Sequence, residues 1–133
     1  MEASSQKAVQ LQFMVGLAAN GDPPGWFWGL VRRYRAKKRT HLALKLVRSF
    51  YSAFSYCRIR GYWHGQAEPS LWISVWDQTS LENALKKGRS LARRLGEILG
   101  QEAVVLAVIE TSFELVEPPS KSIRQESENF ARI

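Results

Sequence analysis

The stretch YCRIRGYWHGQAEPSLWISVW, Tyr56 to Trp76, constrains this chain more than any other. It reads as two β-strands, about 56–64 and 70–76, joined at a corner containing Gly and Pro. Residues along a strand alternate between faces, so a hairpin of this composition has two unlike sides. One side is expected to carry Cys57, Ile59, Leu71, Ile73 and Val75 into a core. The other is expected to gather Arg58, Arg60, Tyr62, His64, Trp72 and Trp76. Folding alone has no use for a face of arginines and large aromatics, so that face is expected to meet a partner.

The flanking segments set the fold class. Ala8 to Ala18 alternates, with Val9, Leu11, Phe13, Val15 and Leu17 on one face, which predicts a first strand. Asn20 to Gly29 (NGDPPGWFWG) reads as a loop bearing Trp26, Phe27 and Trp28. Thr40 is placed to cap a helix from His41 to about Phe54; a start as early as Trp28 fits the pattern equally. Thr79 and Glu82 form a capping box, followed by the stripe Leu81, Ala84, Leu85, Gly88, Leu91, Ala92, Leu95, Ile98 and Leu99. Gly100 is a natural stop for that helix. A last strand is expected from Ala103 to about Val116, apolar on both faces at first, as in a strand covered on both sides. The order strand, helix, strand, strand, helix, strand predicts an α+β, ferredoxin-like βαββαβ sandwich. Its four-stranded antiparallel sheet would be covered by two helices on one face. Residues 1–117 form this single domain, and 118–133 are expected to be a flexible tail.

Charge narrows the partners. The chain has 133 residues with 19 Lys and Arg against 12 Asp and Glu, a net charge of +7. Such a balance favours polyanions. Six cations crowd one run: Arg32, Arg33, Arg35, Lys37, Lys38 and Arg39, with Tyr34 among them. Cys57 is the sole cysteine, so an intramolecular disulfide and a cysteine metal cluster are both excluded. No basic start precedes an apolar run, and no stretch is long and apolar enough to span a bilayer. A cytoplasmic protein without membrane attachment is the expectation.

Gly61 to Ser70 (GYWHGQAEPS), a basic amphipathic helix, and then Gly100 to Val105 (GQEAVV) together resemble small bacterial and phage families. Those families pair a G-x-W-x-G-x-x-E-x-S hairpin with a later G-Q-x-x-V strand entry. The resemblance covers about half the chain and implies an α/β plait. It also implies that Trp63, Glu68, Ser70 and Gln101 cluster in space.

Three functional readings follow in order of expectation, the two non-enzymatic ones ahead of the third. In the first, the chain is a small non-enzymatic protein binding RNA, a single strand or a nucleoprotein. Arg58, Arg60, Tyr62, Trp72 and Trp76 would stack bases and clamp phosphates, and Arg32 to Arg39 would form a basic arm. The RNA-recognition consensus K/R-G-F/Y-G/A-F-V-x-F/Y is missing. In the second, the same face binds a protein, as an adaptor or inhibitor or as a homodimer contact. In the third, His64, Glu68 and Ser70 serve a small-molecule enzyme. At a hairpin turn, Glu68 and Ser70 suit turn hydrogen bonds better than catalysis. No metal-ligand spacing and no cofactor motif is present, so neither metal nor cofactor is expected.

Overall fold

The computed structural model describes residues 5–18, 26–63 and 65–119. Its elements are β1 (Gln6–Gly16), α1 (Trp26–Phe50), β2 (Ser55–Trp63), β3 (Gln66–Asp77), α2 (Leu81–Leu99) and β4 (Val105–Phe113). The strands pair antiparallel throughout in the order β2-β3-β1-β4. This is the ferredoxin-like arrangement that the patterning predicts. His64, most of the 20–29 loop and all of the tail beyond 119 lie outside the described residues.

One face of the sheet makes the core. Val9, Leu11, Phe13 and Val15 of β1 and Leu71, Ile73 and Val75 of β3 alternate inward. They meet Ala43, Leu44, Leu46 and Val47 of α1 and Ala84, Leu91, Leu95 and Leu99 of α2. Gly88 lets α2 settle on β1, since a Cβ there would lie 3.1 Å from Leu11 Cδ1. Leu106 and Val108 of β4 pack against the core edge. β4 is an edge strand, with Val105 and Ile109 exposed on the opposite face, so the expectation of a strand covered on both sides fails. An apolar sequence run records residue type, and only the strand order assigns a strand to the edge.

The helix ends correct two further expectations. Ser80, not Thr79, caps α2, its hydroxyl accepting the Asn83 N–H at 3.2 Å. Thr79 is engaged by Asp77, donating its backbone N–H at 2.9 Å and its hydroxyl at 2.5 Å to the carboxylate. At the other end Gly100 adopts φ 63°, and the N–H of Gln101 donates to the Gly96 carbonyl at 2.9 Å. This is the left-handed stop anticipated there. Helix α1 begins at Trp26 and runs through the basic stretch, because nothing between Leu30 and Arg39 breaks a helix. Thr40 is thus an interior residue, and its hydroxyl donates to the Ala36 carbonyl at 2.8 Å.

Tyr51, just beyond α1, is buried, and among the described residues its hydroxyl has no partner. Lys87 Nζ lies 4.4 Å from its ring centroid. Burial, helped by the Asp77 carboxylate, raises its pKa from 10.0 to about 12. The unfolded chain therefore loses this phenol proton first as pH climbs. The stability tied to neutral Tyr51 is intact below pH 10 and drains away between pH 10 and about 12. Tyr51→Phe removes both the orphaned hydroxyl and its titration. At neutral pH its stability should equal or exceed wild type by up to about 1 kcal/mol. Urea unfolding across pH 10–12 should show a smaller loss for the variant. A neutral-pH deficit above about 1 kcal/mol would mean that the hydroxyl is satisfied.

Candidate functional site

The hairpin turn decides which side chains share a face. Trp63 pairs with Gln66, so only His64 and Gly65 connect the strands, with Gly65 at φ 78°. A two-residue connection pairs odd positions of β2 with even positions of β3: Cys57 opposes Trp72, and Arg58 opposes Leu71. Arg58, Arg60 and Tyr62 therefore lie on the helix side of the sheet, on an edge strand where all three remain exposed. Trp72 and Trp76 lie on the open side. The expected single Arg/aromatic face is two faces. Cys57 is likewise exposed rather than in the core. The phase of β3 agrees with the sequence reading, and that of β2 is inverted.

The open side is uncharged along most of its length and mixes Met14, Trp72, Trp76 and Ile109 with the polar Gln10, Gln12 and Ser74. Trp72 and Trp76 are 37% and 49% exposed. The Trp76 ring lies 5.8 Å from that of Phe113, tilted by 55°. Gln10 spans the gap to β3, its Nε2 donating to Ser74 Oγ at 3.2 Å. Met14 lies between Trp72 and Val105 in the ladder.

At one end of this face the character changes. Gly16 closes β1 opposite Ser70. Where a Gly16 Cβ would stand, the Glu68 carboxylate already sits, and Gln101 Oε1 is 2.8 Å away. Only glycine leaves room for that approach. The chain reversal at Gly100 delivers Gln101 to this point, where its Nε2 donates to the Ala18 carbonyl at 2.9 Å. That bond leaves the amide oxygen directed at Gly16 and Glu68. Ser70 is fully buried, and its hydroxyl donates to the Glu68 carbonyl at 3.4 Å, a structural use. Glu68, Ser70 and Gln101 thus meet, three of the four residues that the resemblance groups; the side chain of the fourth, Trp63, lies outside what is described. Gly16 is not among the candidates that the patterning singles out, although a glycine ending an alternating strand is a signal of close backbone approach.

The basic run lies wholly on α1. Arg39 turns inward, and its guanidinium donates to the Leu17 carbonyl at 2.7 Å. Lys38 Nζ lies 5.5 Å from the exposed Tyr34 ring. Among the described residues no helix is long and apolar enough to cross a membrane.

No family model and no curated protein matches this chain. Solved structures do. A phage SAM lyase in its apo state matches with a TM-score of 0.58 and 21% identity, over 86% of this chain and 94% of that one. A phage SAM lyase in complex with S-methyl-5'-thioadenosine matches with a TM-score of 0.55 and 22% identity, over 83% and 90%. At this identity the likeness establishes the fold.

Proposed function

We propose that this chain is a small-molecule enzyme of the SAM-lyase type, working where Glu68, Gln101 and Gly16 meet. One observation carries the reading. The Glu68 carboxylate and the Gln101 amide oxygen converge above a residue that has no side chain. Both are acceptors, and two acceptors aimed at one point call for a donor or a cation between them. A SAM-type substrate brings both, as a sulfonium and an ammonium group. Trp72 follows Glu68 and Ser70 along the same face of β3 and offers a ring for a cation or for a base. The fold shared with phage SAM lyases, one of them holding S-methyl-5'-thioadenosine, supports the same reading. Of the earlier enzyme candidates, Glu68 carries forward, and Ser70 becomes a buried support.

In such a reaction the carbon–sulfur bond breaks and its electron pair goes to sulfur, leaving a neutral thioether, while the substrate's own carboxylate bonds to the carbon released and closes a lactone. Glu68 carries the negative charge of the cluster, so it holds the cationic substrate against the point where the sulfonium charge is lost. Gln101, fixed by Ala18, orients it. The test is direct: incubate the protein with ~1 mM SAM, at the upper end of ordinary KM values, and separate the products by chromatography. S-methyl-5'-thioadenosine should accumulate in proportion to enzyme. Its absence after prolonged incubation sinks the reading.

A second reading concerns the rest of the open face. A chain of charge +7 meets its own copies with least repulsion across an uncharged surface. The strip from Trp72 to Trp76 and across to Ile109 and Phe113 is such a surface, and a second copy of this chain suits it. Sedimentation should show an oligomer that Trp76→Glu dissociates while the far-UV spectrum holds. A wild-type monomer at high concentration would remove the self-association reading.

A further inference from the structure

Helix α1 contains eight Lys and Arg and no Asp or Glu. In the rest of the chain, eleven cations face all twelve acids, so the net charge of +7 resides on this one helix. A single exposed helix of this charge is an electrostatic footprint rather than a general aid to solubility.

The fold orders these cations. Thr40, Ala43, Leu44, Leu46 and Val47 turn into the core. That leaves the far side of the helix and one flank solvent-facing, where Lys38 and Lys45, and Lys37 and Arg48, are all exposed. Lys37, Lys45 and Arg48 fall on one ridge, three turns long, with His41 between them. Lys45 and Arg48, three residues apart, are a like-charge pair of the kind that destabilises a helix by about 0.2–0.5 kcal/mol, and no carboxylate of α1 offsets it. The distance from Lys37 to Arg48 is roughly 16 Å at 1.5 Å per residue. That covers about five phosphate steps of one strand of a duplex. Tyr34, 62% exposed one turn before Lys38, adds a ring beside the cations.

We infer that the exposed ridge of α1 binds the phosphate backbone of nucleic acid without regard to sequence. Lys37, Lys38, Lys45 and Arg48 supply the contacts. This differs from the basic arm read in the sequence. Arg39 is spent on the Leu17 carbonyl, and Lys45 and Arg48 join from beyond the run. A lipid surface suits the helix poorly. An interfacial helix needs an apolar stripe facing the membrane, and the apolar side of α1 from Ala43 to Val47 is occupied by the sheet. The inference is independent of the lyase reading, because the ridge lies on the helix side of the sheet.

The probe is a fluorescein-labelled 20-nucleotide duplex, with a single strand of the same length alongside. Anisotropy is measured with the full chain at 50 and 200 mM salt. Four phosphate contacts predict an affinity loss of about 10²-fold over that range. Lys37→Gln, Lys45→Gln and Arg48→Gln combined should weaken binding at 50 mM salt and flatten the salt slope to about a quarter. SAM turnover should be unaffected, which separates the two proposals. No binding at 50 mM salt overturns the inference. So does an unchanged slope in the triple variant, or capture by phosphatidylserine vesicles without capture of either oligonucleotide.

Discussion

Glu68→Gln will lower SAM cleavage, on the lyase reading, by about 10²-fold or more while the protein stays folded. The substitution keeps the shape of the side chain and removes its charge. The half-buried carboxylate stands beside the Gln101 oxygen above Gly16, so the wild-type cluster is two acceptors awaiting a donor. A glutamine there can turn its NH2 toward the Gln101 oxygen and close the pair internally. The variant should therefore melt at the wild-type temperature or slightly above it, while its affinity for a cationic ligand collapses. Calorimetric titration with S-methyl-5'-thioadenosine, which is uncharged at sulfur, should show a smaller loss than titration with SAM. Equal turnover by variant and wild type would strip the carboxylate of any role. Equal losses for the two ligands would mean that Glu68 shapes the pocket without meeting the cation.

The largest stability effect is expected at Leu91. This residue is fully buried in the middle of α2 against the sheet. Leu91→Ala should cost about 2–5 kcal/mol, from lost burial plus the cavity left where the neighbours cannot collapse. Urea unfolding should show an earlier midpoint with an unchanged slope. Ile98 serves as the internal control. It belongs to the same sequence stripe but is 41% exposed, so Ile98→Ala should cost under about 1 kcal/mol. A Leu91→Ala cost no larger than that of Ile98→Ala would mean that α2 does not press this stripe into the sheet.

Local patterning and tertiary context divide the protein cleanly. The period-two runs in β1 and β3, the stripe of α2 and the stop at Gly100 are short-range signals, carried by side chains within a turn or a strand of one another. They determine the βαββαβ order, and with it which way Leu11, Phe13, Ile73 and Leu91 point. The resemblance of the hairpin and of the GQEAVV segment to known families groups Trp63, Glu68, Ser70 and Gln101, and the last three of these do meet.

What escaped was every feature set by pairing. Apolar Cys57 and Ile59 alternate with Arg58 and Arg60, so composition alone turns Cys57 and Ile59 inward. The two-residue turn at His64 and Gly65 settles the matter by fixing the register, and a change of one residue there would exchange the faces of β2. The edge position of β4 follows from strand order, which leaves no trace in the composition of one segment. The continuation of α1 through its basic stretch needed the core to hold its far half, since an isolated helix of like charges is weak. Gly16 acquires its meaning only from Glu68 and Gln101, which reach it from β3 and from the end of α2. The sequence by itself determined the elements and their apolar sides. The tertiary structure decided which polar groups meet, because hydrogen-bond register and chain reversal act between segments far apart in the chain.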